Sequence, residues 1–212
     1  MNKSKEKRQK KTPKQKAKIA LKVLLITLLI IVVLFGICAI INVIGIKSNK
    51  SFIENSIKPV EYESQLAPEL DENGYYTFTT DEDFKVVQLT DVHIGGGFMC
   101  IKKDNMALNA VAAMVTEEKP DLVVVTGDIA YPVPFQAGTF NNKTGAEMFA
   151  ELMEKLGVYW APAFGNHDTE VYSFYTREDI AKVYNNKEKY PHCLFQSGPE
   201  SIDGVGNYVI NV

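Results

Sequence analysis

Apolar residues along this chain form one long run and several short ones. The long run, residues 23–46, contains 24 residues without a charged side chain. Three short runs rich in β-branched and aromatic residues follow at 86–89, 122–125 and 158–164, and turn residues bound each of them. Between these runs, apolar residues recur near helical spacing. The pattern predicts three buried strands with helices between them.

Repeated strand–helix units predict an α/β fold with a largely parallel sheet. The strands of such a sheet end along one edge, where ligands bind. In this chain the strands are followed by polar groups, in the segments Asp91-Val92-His93, Gly127-Asp128 and Gly165-Asn166-His167-Asp168. The carboxylates of Asp91 and Asp128, with an amide and two imidazoles at the same edge, suit two divalent or trivalent metal ions that handle a phosphate.

The ordered set Asp-x-His, Gly-Asp and Gly-Asn-His-Asp, each after a strand, resembles the calcineurin-like metallophosphoesterases over about residues 84–212. The sequence Gly-Val-Gly-Asn-Tyr-Val-Ile-Asn-Val at 204–212 is similar to a strand of the purple-acid-phosphatase-like branch. The resemblance implies the N-terminal half of a two-sheet sandwich flanked by helices. It also implies a phosphate-ester substrate and two metal ions, either iron, manganese or zinc, with a metal-bound hydroxide as nucleophile.

The resemblance implies a role for each polar residue. Asp91 and His93 are expected to bind the first metal, and Asp128 to bridge both metals. Asn166 is expected to bind the second metal. The next two residues are expected to be catalytic: His167 contacts the phosphate and helps to protonate the leaving oxygen, and Asp168 orients His167 through its other ring nitrogen.

The sequence leaves the roles of two features undecided. Tyr131 stands where purple acid phosphatases have an iron ligand, but those enzymes lack a histidine at the place of His93, so packing is the preferred interpretation. The run Gly95-Gly96-Gly97 is either a flexible turn or backbone that approaches a phosphate.

The family pattern also contains later histidines, including a Gly-His-x-His segment. This chain has three histidines, at 93, 167 and 192, and none lies in such a segment. We therefore interpret the 212 residues as a fragment of a longer protein or a truncated form, with a domain that is incomplete at its C-terminus. An alternative from another functional class is an inactive surface module that keeps the fold. Cys100 and Cys193 are predicted to be buried free thiols rather than a disulfide.

Charge is distributed unevenly along the chain. Residues 1–50 carry 12 lysines and arginines against one acid, which leaves 11 bases and 25 acids in residues 51–212. An acidic domain argues against nucleic acid as a partner. Residues 1–18 are predicted to be a disordered basic tail, and binding of acidic cytoplasmic partners by this tail is a third functional possibility.

Residues 19–46 are predicted to be a transmembrane signal-anchor helix. Its 24 uncharged residues would span about 36 Å at about 1.5 Å per residue, against a hydrocarbon core of about 30 Å. The lysines before the span predict a single-pass protein of the cell membrane, with a cytoplasmic N-terminus and an extracellular domain. Residues 47–72 are predicted to be a linker, and residues 73–212 the metallophosphoesterase domain.

Overall fold

The computed structural model describes residues 12–212. The chain divides into two compact units, and the boundary in the sequence lies between Ile41 and Asn42. One long helix, α1 (Pro13–Ser56), contributes to both units. Most of the predicted basic tail, residues 1–11, lies outside the described residues. The prediction of disorder is wrong for residues 13–18, which form the first turns of α1.

The N-terminal unit consists of the first part of α1. Its large apolar side chains, such as Leu24 and Phe35, are exposed. Its most apolar window has a mean hydropathy of 3.4 and no buried residues. Among the described residues this is the one helix that is long and apolar enough to cross a membrane, a property that signal sequences share.

The C-terminal end of α1 belongs to the second unit and packs against it. Ile53 of α1, together with Ile57 and Val60, lies in the main hydrophobic core. Lys50 forms an ion pair of 2.7 Å with Glu151. Part of the predicted linker at 47–72 is therefore helical and buried. Ile57 and Val60 lie beyond the end of the helix, and their burial is not what a solvated linker would show.

The main sheet contains three parallel strands, which confirms the predicted parallel arrangement. The strands are β3 (Val86–Leu89), β4 (Leu122–Val125) and β5 (Trp160–Pro162), and β4 lies in the middle. Leu122, Val123 and Val125 are buried because β4 has a neighbour on each side. The three strands therefore end at one edge of the sheet.

A second, smaller sheet is formed by strands from the beginning and the end of the domain sequence. It contains β1 (Glu69–Leu70), β2 (Tyr76–Thr77) and β6 (Ile210–Asn211). β2 is central and pairs antiparallel with β1 and parallel with β6. The strand that the resemblance implies within 204–212 is thus present, in shorter form.

Helices connect the strands as the periodicity predicts. They are α2 (Ile101–Glu118), the short α3 (Pro134–Ala137), α4 (Asn142–Leu156) and α5 (Arg177–Tyr184). Asn141 caps α4 by accepting a hydrogen bond from Thr144 N–H, and Gly157 ends it in the left-handed conformation. Thr176 and Asp179 form a capping box at the start of α5.

Both domain cysteines are buried free thiols, as predicted. Burial is the main reason why the pKa of Cys100 rises to about 12, and the same cause raises the pKa of Cys193 to about 12. Since the thiolate is the reactive form, neither side chain is suited to act as a nucleophile.

Candidate metal centre

The loops after β3 and β4 continue the parallel pairing beyond the strand ends. Asp91 N–H donates to Gly127 O at 3.2 Å, and His93 N–H donates to the backbone oxygen of Asp128 at 3.0 Å. Ile94 forms the next bridge, donating to Ile129 O at 2.8 Å. The backbone itself therefore brings the segment from Asp91 to His93 against Asp128.

Three of the predicted metal ligands have left-handed backbone conformations. The φ angles are 55° at Asp91, 54° at His93 and 55° at Asp128. Among the described residues, Lys119 is the one other non-glycine residue with a positive φ. Each such conformation costs on the order of 1–3 kcal/mol and persists where the surroundings impose it, commonly at functional sites. The strain lies where the sequence predicts the chemistry.

Two glycines allow the loops after β4 and β5 to approach each other. A methyl group on Gly127 would lie 2.5 Å from the backbone nitrogen of Gly165. A methyl group on Gly165 would overlap the carboxylate of Asp128. Positions 127 and 165 must therefore be glycine for Asp128 to reach the loop that carries His167.

Potential ligand atoms of His93, Asp128 and His167 lie within 4.8 Å of one another. His93 Nε2 is 3.5 Å from Asp91 Oδ1 and 3.7 Å from Asp128 Oδ2. Imidazole nitrogen and carboxylate oxygen at this separation fit a transition-metal ion or zinc. The structure thus brings together four of the six predicted site side chains, those of Asp91, His93, Asp128 and His167.

Asp128 uses its two carboxylate oxygens differently. Oδ1 accepts a hydrogen bond of 2.8 Å from His167 N–H, which fixes the backbone of the loop after β5. Oδ2 faces His93. Asn166 is exposed beside His167 in the same loop, and its assignment to a second metal stays a prediction.

Asp168 does not make the contact that the sequence analysis predicts. Its side chain is buried and accepts three backbone hydrogen bonds of 2.8–2.9 Å instead, from Asp128, Ala130 and Gly165. The predicted bond from Asp168 to the His167 ring is therefore wrong. The loops after β4 and β5 direct three N–H groups into one buried space, and a carboxylate is the side chain that satisfies all of them. Burial nevertheless raises the pKa of Asp168.

Glu170 takes the place that was predicted for Asp168. Its Oε1 lies 2.6 Å from His167 Nδ1. The sequence analysis did not single out Glu170, although an acid three residues after a histidine at a strand end is a weak signal for such a pair. Because Nδ1 is engaged, the Nε2 atom of His167 is the one that remains for a ligand or substrate.

Tyr131 packs against both histidines of the site. Its ring centroid is 4.0 Å from that of His167, at an interplanar angle of 32°, and 5.0 Å from that of His93. This contact supports the packing interpretation of Tyr131. It also limits the rotation of both imidazoles, so that the tyrosine helps to hold the potential ligands in place.

The glycine run after His93 faces a buried acid rather than open solvent. Gly95 N–H and Gly96 N–H each donate a hydrogen bond of 3.0 Å to Asp104. Asp104 also contacts the thiol of Cys100 at 3.1 Å. Burial raises the pKa of Asp104. These two N–H groups are already satisfied, so the idea that they hold a substrate phosphate loses its support.

Comparisons of the sequence with known proteins identify the family of the chain. The family model for calcineurin-like phosphoesterases matches residues 84–210, and the chain belongs to that family. It is 32% identical over 151 residues to the "Probable inactive purple acid phosphatase 14" of Arabidopsis thaliana. It is 29% identical over 150 residues to the "Probable inactive purple acid phosphatase 29" of the same plant, and 29% over 169 residues to the "Phosphatase DCR2" of Saccharomyces cerevisiae. No solved structure matches.

The chain spans about a third of the length of these relatives. The match with each Arabidopsis protein covers 64% of this chain and 36% of the relative. The match with the yeast phosphatase covers 73% of this chain and 26% of the relative. The predicted membership of the metallophosphoesterase family is confirmed, and the activity of the whole protein is a matter for proposal.

Proposed function

We propose that the complete protein is a metal-dependent phosphoric ester hydrolase with a dinuclear centre. The observation that carries this proposal is the convergence of His93, Asp128 and His167, whose ligand atoms lie within 4.8 Å at the edge of a parallel sheet. The left-handed backbone of Asp91, His93 and Asp128 supports it, because strain is retained where function needs a fixed geometry.

Four residues would hold the metal ions. Asp91 and His93 would hold the first ion, Asn166 would hold the second, and Asp128 would contribute to both. When bound, such ions supply Lewis-acid stabilisation of the phosphoryl oxygens and an activated water. The family allows iron, manganese or zinc, and the oxygen and imidazole donors of this site are compatible with each.

The remaining residues of the site position groups and move a proton. His167 presents Nε2 to the substrate, because Glu170 occupies Nδ1 at 2.6 Å and Tyr131 covers one face of the ring. From that position Nε2 contacts the phosphoryl group and delivers a proton to the leaving oxygen. Asp168 acts through the backbone: it ties the loops that carry Asp128 and His167 to each other.

The apolar part of α1 would anchor this enzyme in the cell membrane. Residues 19–46 are the transmembrane signal-anchor, the basic N-terminus lies in the cytoplasm and the phosphoesterase domain lies outside. The exposed apolar side chains of this part of the helix and its mean hydropathy of 3.4 support the assignment.

An inactive anchored module is the second candidate. The Arabidopsis relatives carry the words "probable inactive" in their names, and this favours a fold that is kept without catalysis. The two candidates differ in turnover. A hydrolase releases phosphate from an ester when metal is bound, whereas an inactive module binds metal or phosphate without turnover.

The test compares Asp128→Asn with Asp203→Asn in the full-length protein. Asp203 is exposed and provides the same chemical change away from the site. Metal content per chain is measured by mass spectrometry, and phosphate release from 4-nitrophenyl phosphate is measured with added Mn²⁺. We expect Asp128→Asn to lose at least one metal ion and to lower kcat/KM by more than about 100-fold, since even partners of metal ligands are worth about 10–100-fold.

The result for Asp203→Asn should equal that of the unchanged protein. Equal metal content and activity in both variants would refute the site assignment. Bound metal without any phosphate release, from the unchanged protein and with several esters, would favour the inactive module.

A further inference from the structure

A partly exposed aromatic surface lies around the loop that follows His167. It consists of Phe140, Tyr172 and Phe174, which are called the aromatic face below. The rings of Phe140 and Phe174 are stacked, with centroids 5.6 Å apart and planes 24° from parallel. Tyr172 meets Phe140 edge-on at 6.4 Å. Phe140 is 40% exposed and Phe174 is 68% exposed.

Hydrogen bonds to the backbone hold the aromatic face in place. Buried Asn142 donates hydrogen bonds to Asp168 O at 2.8 Å and to Tyr175 O at 2.9 Å, and it accepts one from Tyr175 N–H at 3.1 Å. Phe174 N–H donates to Phe140 O at 3.0 Å. The loop between residues 168 and 175 is therefore fixed at both ends against the start of α4. A ligand would meet a surface that is already formed, which reduces the entropy lost on binding.

This loop also reaches the catalytic histidine. Glu170, which bonds His167 Nδ1, lies two residues before Tyr172. Burial, together with the nearby Glu170 and Tyr131, raises the pKa of Tyr172, in agreement with a position close to the site. Tyr131 lies against His167 at 4.0 Å. The loop that carries Tyr172 and Phe174 is therefore tied to the histidine through Glu170.

The exposure of these rings is not explained by packing of the loop. Val171, between Glu170 and Tyr172, is 99% exposed, so this part of the loop faces solvent. A single exposed aromatic residue needs no explanation, but a contiguous patch of partly exposed rings is typical of a binding surface. The three side chains carry no positive charge, so the surface suits an uncharged flat group rather than a second phosphate.

We propose that the aromatic face binds the leaving group of the substrate, and that the site prefers phosphate esters whose leaving group carries an aromatic ring. The inference rests on the proposed function, because the ligand cluster must hold the phosphate. A flat ring can lie offset against Phe140 or Phe174 at the usual centroid separation of about 4.5–7 Å. An aliphatic leaving group gains less from the same surface.

The test measures binding rather than turnover. The full-length protein, loaded with Zn²⁺ in detergent micelles, is titrated with phenylphosphonate and with methylphosphonate, and Kd is obtained from ³¹P NMR. The double variant Phe140→Leu/Phe174→Leu keeps the apolar character and removes the rings. Phe135→Leu is the matched control, since Phe135 is 92% exposed outside the aromatic face.

We expect the unchanged protein and Phe135→Leu to bind phenylphosphonate more tightly than methylphosphonate by the same ratio. The double variant should lower this ratio by about 5-fold or more, because each aromatic pair contributes about 2- to 13-fold, from about 0.5–1.5 kcal/mol. Binding of methylphosphonate should change little in any variant.

The outcomes separate this inference from the proposed function. If both phosphonates bind and the double variant leaves the ratio of their Kd values unchanged, the aromatic face does not discriminate between leaving groups. If neither phosphonate binds the unchanged zinc-loaded protein, the proposed phosphoesterase site fails, and the inference fails with it. If the double variant lowers the unfolding temperature by several degrees without changing the ratio, the rings serve packing, and the inference is again refuted.

Discussion

Replacing Asp168 by asparagine should destabilise the domain strongly, although the side chain keeps its size. The carboxylate accepts three backbone hydrogen bonds. Oδ2 accepts from Asp128 and Gly165, and Oδ1 accepts from Ala130. An asparagine has one oxygen acceptor, and its amide nitrogen would direct N–H groups at the N–H of Ala130.

The size of the effect follows from these contacts. With its oxygen at the position of Oδ2, the asparagine keeps two of the three bonds. The lost bond to a charged acceptor is worth about 1.5–3 kcal/mol, and the amide N–H groups that face the N–H of Ala130 add repulsion. Part of this is offset because a buried neutral amide is easier to desolvate than a carboxylate. We expect a decrease of about 2–4 kcal/mol in the free energy of unfolding.

Trp160 provides the assay. It is the single tryptophan of the chain, it is fully buried, and it lies in β5 immediately before the loop that carries Asp168. Its fluorescence therefore reports unfolding of the domain and not of the apolar helix. Urea titrations of the full-length protein in detergent micelles compare Asp168→Asn with the exposed control Asp203→Asn. In a domain of this size the expected change corresponds to about 4–16 °C in Tm.

A decrease below about 0.5 kcal/mol, the range of ordinary surface substitutions, would refute the reasoning. It would mean that the loops after β4 and β5 stay together without the buried carboxylate. A second refuting result is an equal decrease in Asp203→Asn, because that variant touches none of the three N–H groups.

Three further predictions use other parts of the domain and the helix. Gly165→Ala should lower both stability and metal content, because the added methyl group would overlap the carboxylate of Asp128, and urea titration with metal analysis measures both effects. Burial raises the pKa of Asp104, so this carboxyl group binds a proton more tightly in the folded protein than in the unfolded protein. The free energy of unfolding should therefore fall as pH rises from about 4 through that raised pKa. Urea titrations at several pH values should show a smaller fall for Asp104→Asn. In intact cells, a membrane-impermeant maleimide should label Glu200→Cys but not Ser4→Cys, and the reverse pattern would contradict the proposed orientation.

The sequence determined the local elements and the candidate ligands. β-branched runs, helical spacing and turn residues act over a few positions, so β3, β4 and β5 and the helices between them could be predicted, and their parallel order followed from the long connections. The same reasoning placed Asp91, His93 and Asp128 together, because they lie at the ends of neighbouring strands. These features depend on the periodicity of apolar residues and on the length of the connections, and the sequence alone defines both.

The tertiary structure decided which groups each side chain meets. Asp168 accepts N–H groups from two separate loops, and Glu170 rather than Asp168 reaches His167, because the backbone path of the loop after β5 sets both distances. The left-handed conformations of Asp91, His93 and Asp128 occur in loops that pair with each other. The burial of Ile53 likewise depends on a distant surface that covers it. Sequence alone therefore specifies which elements form, whereas contacts between distant loops specify how the site is held.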